Sequence, residues 1–253
     1  MLALLISIYN TVCVYSKVCV MANLIDFLQH QNLVWQGTEN APASRQVYET
    51  VSTGFGDLDK QLHGGLPKQG VVDIQSQVGI GELRLLLPYL RKQTRMCAVI
   101  HPPALLNAHA LFHQGVDTGQ FLVITPNSPQ EALWAAEQCL KSGACGSVLL
   151  WHGDLEVHQV KRLQLAAQTG QGLICILRSG IKQSASLPVC LSLKLAPHEL
   201  GLRVQVIKRQ GGWAKPDFVL DMSTNWPELT AREKVPRSAQ VVTIEQALQQ
   251  VNR

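Results

Sequence analysis

Short apolar runs that alternate with stretches of helical spacing constrain this chain more than any other feature. MCAVIH (Met96–His101), FLVI (Phe121–Ile124), SVLLW (Ser147–Trp151) and GLICIL (Gly172–Leu177) are short apolar segments with no regular polar alternation, and VVDI (71–74) is a further strand-like run that carries one carboxylate, Asp73. Such runs suit strands covered on both faces. Helical patterns separate them: one with Leu58 and Leu62 a turn apart, ended by Gly64 and Gly65, one around Leu105 to Phe112, and one through Val160, Leu163 and Ala167. Ser128, Pro129, Gln130 and Glu131 form a capping box that opens a further helix through Ala132, Ala136 and Leu140. Strands that alternate with helices build a mainly parallel sheet. After Leu187, PVCLSLKL, LRVQVIK and FVLDM follow with short turns between them, Gly211 and Gly212 marking one, and predict an antiparallel extension. The expected fold class is α/β, with a mainly parallel central sheet, helices on both faces and that extension.

The stretch Gly70 to Leu90, GVVDIQSQVGIGELRLLLPYL, reads as strand, glycine loop and helix start, with Pro88 set to kink or adjust the helix. This is the layout of a phosphate-binding P-loop, which needs G-x-x-x-x-G-K-[ST]: glycines that let backbone N–H groups close on phosphates, a lysine and a hydroxyl. Aligned on Gly81, the four positions hold Ser76, Gly81, Glu82 and Leu83, with Gly79 inside the loop. A carboxylate about 4 Å from a phosphate charge costs roughly 4 kcal/mol per pair at an effective dielectric near 20. At a helix N-terminus the same carboxylate suits the dipole. Glu82 therefore reads either as an electrostatic substitute for a phosphate or as part of a plain glycine turn with no nucleotide ancestry.

With 253 residues, 46% hydrophobic and 16% charged, the chain can bury one substantial core and a small appendage. A formal net charge of +4 is too small and dispersed to be a nucleic-acid footprint. Seven cysteines make no C-x-x-C pair, which points to reduced thiols and a cytoplasmic protein. His109 and His113 share a helical face, but no third ligand is near in sequence, so no metal is expected.

Four regions follow. Residues 1–20, MLALLISIYNTVCVYSKVCV, read as an over-called start, because Lys17 comes late for a signal peptide and Asn10 interrupts the apolar run; a membrane anchor is the minority reading. Residues 21–50 give a short helix and a polar linker, 51–225 the core, and 226–253 a basic tail. In the tail, Thr243 and Gln246 make a capping box, and Ile244, Ala247, Leu248 and Val251 share one helical face. That stripe is a candidate partner-binding surface, or packs back on its own core.

From about Val51 to Met222 the order of elements resembles the core of the RecA recombinase family. TGFGDLDKQLHGGLPKQGVVDI is similar to the family's entry, "LD" helix, "GGLP" turn and first P-loop strand, and LRVQVIKRQGGWAKPDFVLDM to its closing hairpin. Carried across residue by residue, the resemblance removes the enzyme. The lysine and threonine positions hold Glu82 and Leu83, the water-activating glutamate falls at about Pro103, and the magnesium-supporting aspartate falls at about Trp151, with Asp154 nearby. The first DNA loop has little room in HGDLEVHQ. The second, RSGIKQSASLP, offers only Arg178 and Lys182 as possible DNA contacts, each also readable as a solvated surface charge.

A RecA-like core without nucleotide chemistry, with GIGELRLLLPYL and an LVWQG lead-in, resembles the ImuA and SulA family. The retained front of the core favours the ImuA side, since SulA proteins are typically shorter and reduced there. The resemblance implies a non-enzymatic accessory protein of the SOS response to DNA damage, acting in mutagenic translesion synthesis by binding an ImuB-like pseudo-polymerase. The alternative it leaves open is a cell-division inhibitor that binds FtsZ. Either way the expectation is a protein partner, weak DNA contact at most, no cofactor, no small-molecule substrate and no membrane.

Overall fold

Eight strands form one sheet in the order β10-β9-β8-β3-β7-β6-β4-β5. They are β3 (Gly70–Gln75), β4 (Met96–Ile100), β5 (Phe121–Ile124), β6 (Cys145–Trp151), β7 (Leu173–Arg178), β8 (Leu191–His198), β9 (Gly201–Arg209) and β10 (Phe218–Asp221). The computed structural model describes residues 49–179, 187–210 and 216–227. The expected extension at 1–20, the segment 21–48, the Gly211–Gly212 turn and the tail beyond Pro227 lie outside the described residues.

Strands β3 to β8 run parallel; β9 alone reverses, pairing antiparallel with β8 on one side and with β10 on the other. β8 therefore belongs to the parallel set through β3 and begins the antiparallel extension through β9, one strand later than its sequence suggests. A two-stranded pair, β1 (Thr50–Val51) with β2 (Leu66–Pro67), brackets α1 (Gly56–Leu62). The other helices are α2 (Glu82–Leu90), α3 (Ala108–His113), α4 (Pro129–Lys141) and α5 (Val157–Gly170). Pro88 does not end α2, which runs on to Leu90. Among the described residues no helix is long and apolar enough to cross a membrane.

Strand alternation feeds two cores, one on each sheet face. Val72, Ile74, Val99, Leu149, Cys175 and Leu177 join α1, α2 and Leu111 of α3; Val71, Ala98, Ile100, Val148, Leu150 and Ile176 join α4 and α5. Small residues Ala132, Ala136, Ala166 and Ala167 let α4 and α5 lie close, and at Gly170 an added Cβ would strike the Leu140 carbonyl. Arg95 gathers the main chain at this end, donating to the carbonyls of Gln171 (2.8 Å), Gly170 (2.8 Å), Cys145 (2.9 Å) and Gly143.

Two local expectations are corrected. FLVI is not covered on both faces: β5 is the sheet's outer strand, with Leu122 39% and Val123 48% exposed. The box at Ser128 is shifted. Its hydroxyl accepts from the Glu131 N–H (3.2 Å), but the Glu131 carboxylate accepts from Asn127, not Ser128.

Candidate functional site

The carboxyl edge of a parallel sheet is where α/β proteins place ligands. There, Ser76 to Gly81 join β3 to α2. Gly79 (φ 86°) and Gly81 (φ 115°) adopt left-handed backbone that only glycine takes without strain. Their N–H groups converge on one acceptor, the carboxylate of Glu82. The Gly79 N–H reaches Oε1 at 3.0 Å and Oε2 at 3.2 Å, and the Gly81 N–H reaches Oε2 at 3.1 Å. Glu82 is 5% exposed.

This is an anion cradle made of loop amides and a helix N-terminus, filled by the chain's own carboxylate. Charge-assisted bonds from the main chain and the α2 dipole balance the buried charge. Arg84 closes the loop from outside, donating to the Ile80 carbonyl at 3.2 Å. Of the remaining loop positions, Ser76 is half-buried, with its N–H on the Arg178 carbonyl (2.9 Å), and Leu83 is half-buried against the core.

The other aligned positions surround this edge. Pro103 is exposed in the loop after β4, Asp154 is exposed in the connection 152–156, and Trp151 is buried at the end of β6 with its Nε1 unpartnered. Burial pushes the His152 imidazole below its ordinary pKa, against smaller opposing contributions from the backbone of Gly153 and Pro129. The connection from β6 to α5 spans only residues 152–156, as short as HGDLEVHQ suggests.

Arg178 is not a phosphate contact. It ends β7 at 3% exposed, and its guanidinium grips Asp73 of β3 bidentately, Nε to Oδ1 at 2.6 Å and Nη2 to Oδ2 at 2.8 Å. The Ser192 hydroxyl (2.9 Å) and the Gln75 side-chain amide (3.0 Å) also donate to Asp73. The guanidinium is thereby buried against a carboxylate of opposite charge rather than presented to solvent. This also removes the reading of Arg178 as a solvated surface charge. Lys182 and the stripe of Ile244, Ala247, Leu248 and Val251 lie outside the described residues. The one hint of the Asp73 network in the sequence is a carboxylate inside the apolar run VVDI.

A groove of about 560 Å³ opens beside the cradle, between α2 and α3. Leu83, Leu87, Leu106, Ala110, Leu111 and Trp226 line it, with Arg84, Asn107 and His113 among its polar residues. Leu83, at the position aligned with the P-loop hydroxyl, faces this apolar space. Spacing alone gave no sign of the groove, since Trp226 joins it from the far end of the core.

No family model matches the chain. It is 33% identical over 111 residues to the protein RecA of Synechococcus sp. (strain CC9902), covering 43% of this chain and 30% of that protein. It is 32% identical over 135 residues to RecA of Prochlorococcus marinus (strain AS9601), covering 52% of this chain and 36% of that protein. The chain thus spans about a third of the length of these relatives. Among solved structures, SulA from Pseudomonas aeruginosa is 28% identical, with a TM-score of 0.39, covering 44% of this chain and 98% of that one. The RecA matches mark this chain as a distant RecA relative, and its fold is RecA-like.

Proposed function

We propose that this chain is a non-enzymatic accessory protein of the SOS response that binds a polymerase-like partner in mutagenic translesion synthesis. The observation that carries the non-enzymatic part is the Glu82 carboxylate on the Gly79 and Gly81 N–H groups. In a nucleotide enzyme those amides hold phosphate. Here a nucleotide would have to displace a bonded carboxylate and then sit beside its charge, with no lysine to offset the repulsion. Pro103 has no group able to take a proton from water, and Trp151 offers no oxygen to a magnesium shell.

What remains is a RecA-like frame whose exposed features are surfaces. The assignment to the ImuA side of the ImuA and SulA family rests on the retained front of the core from Val51 onward, including the β1–β2 pair and α1. Two measurements test the reading. Calorimetry with ATP and magnesium should give no binding at micromolar nucleotide; affinity in that range would overturn the non-enzymatic role. Capture of the tagged chain from DNA-damaged cells should retain a polymerase-like protein. Capture of a cytoskeletal GTPase instead would establish the division-inhibitor alternative.

A further inference from the structure

The exposed rings of His109 and His113 on α3 converge. Their Nε2 atoms lie 2.9 Å apart, with ring centroids 4.3 Å apart and planes at 89°. A spacing of four residues puts both side chains on one helical face. The short helix is capped at its start and anchored at its middle: the Asn107 side chain accepts from the Ala110 N–H at 3.0 Å, and Leu111, between the two histidines, is buried in the core. The Phe112 and His113 rings also meet in a T-shaped arrangement, with centroids 6.3 Å apart and planes at 71°.

Two Nε2 atoms at this distance share one proton, since one must donate and the other accept. With the bridging proton moved to Nδ1 of its own ring, both Nε2 lone pairs are free for a metal ion, and neutral imidazole nitrogen suits copper, nickel and zinc. The separation matches one coordination angle better than another. With metal–nitrogen bonds of about 2.0–2.1 Å, a tetrahedral angle sets the nitrogens about 3.3–3.4 Å apart, whereas a right angle sets them about 2.9 Å apart.

We propose that His109 and His113 form a bidentate site for a divalent ion with right-angle coordination, of the copper(II) or nickel(II) class. Copper binds tightest, following the general order of divalent affinities. Because both histidines are exposed, water completes the coordination. Among the described residues no group of three or more His, Cys, Asp or Glu side chains could hold a metal, so the ion is exchangeable rather than a structural one with four protein ligands. The sequence argued against a metal here by counting ligands, and the structure reopens the question through distance.

The test is calorimetric titration of the untagged full chain with copper(II), nickel(II) and zinc(II) chlorides in separate runs, with copper electron paramagnetic resonance in parallel. Wild type should bind one copper more tightly than zinc and give a tetragonal, nitrogen-coupled signal. His109→Ala and His113→Ala should each weaken copper binding by at least about tenfold, the low end of what even outer-shell changes cost a metal site. Both variants should keep their melting temperature, because the rings are exposed. Copper affinity unchanged in both variants would overturn the site, and zinc binding as tight as copper would overturn the right-angle geometry.

Discussion

Asp73 and Glu82 are buried carboxylates on either side of one loop, and they are balanced in opposite ways. Asp73 takes a guanidinium from β7, a hydroxyl from β8 and an amide from its own strand; the two cross-strand partners are 105 and 119 residues away in sequence. Glu82 takes only main-chain N–H groups, one and three residues before it. The first arrangement ties β7, β3 and β8 together, and its loss strands a charge inside the sheet. The second plugs a cradle at the surface, and its loss leaves that cradle open to water. One carboxylate is held across three strands, while the other is held within its own loop.

The largest effect should come from breaking the first. Arg178→Ala leaves the Asp73 carboxyl in the sheet without its counter-charge and should cost roughly 3–5 kcal/mol in urea unfolding. A loss below about 1 kcal/mol would mean that water reaches Asp73 and the pair is not truly buried. The double change Asp73→Leu with Arg178→Met removes both charges together and should recover most of that loss. If the double variant were as unstable as the sum of the singles, the two residues would be uncoupled.

Next in size is Glu82→Ala, which removes charge-assisted bonds and should cost roughly 1.5–3 kcal/mol. It also empties the cradle, so inorganic phosphate should raise the melting temperature of the variant and leave wild type unmoved. Equal phosphate stabilisation of both proteins would show that Glu82 is not the cradle's occupant.

The smallest effect sharpens the comparison with a third mode, a titratable group buried near a strand end without a counter-charge. His152 has its pKa lowered in the fold by burial, so the unfolded chain binds more protons and stability falls as pH drops below about 6.5. His152→Asn should flatten stability between that pH and the carboxylate range. Glu137, held low first by its hydrogen bond from Lys141 and also by Arg162 against the opposing effect of burial, loses its contribution only at more acid pH, as it protonates. A variant with the same pH profile as wild type from neutral to mildly acid would remove His152 from the account.

Legibility follows the range over which each interaction acts. Strand and helix order could be read because apolar runs, caps and glycines act locally, and Glu82 could be weighed against phosphate because its partners lie within one loop. FLVI misled because an edge strand and a central one can share the same apolar run; only strand order, set by the crossovers, leaves Leu122 and Val123 without a covering layer. Arg178 misled because a basic residue at a strand end reads as surface until the strand paired beside it supplies Asp73.

By itself, then, the sequence determined the α/β layering and a glycine loop from strand to helix with a carboxylate at the helix start, since periodicity and backbone permissiveness are properties of neighbours in the chain. Tertiary structure alone decided that Arg178 turns inward, that Trp226 closes a groove beside Leu83, and that two histidine nitrogens stand 2.9 Å apart. Each of these depends on distances between atoms, and for the first two those distances are set only when segments remote in sequence pack together.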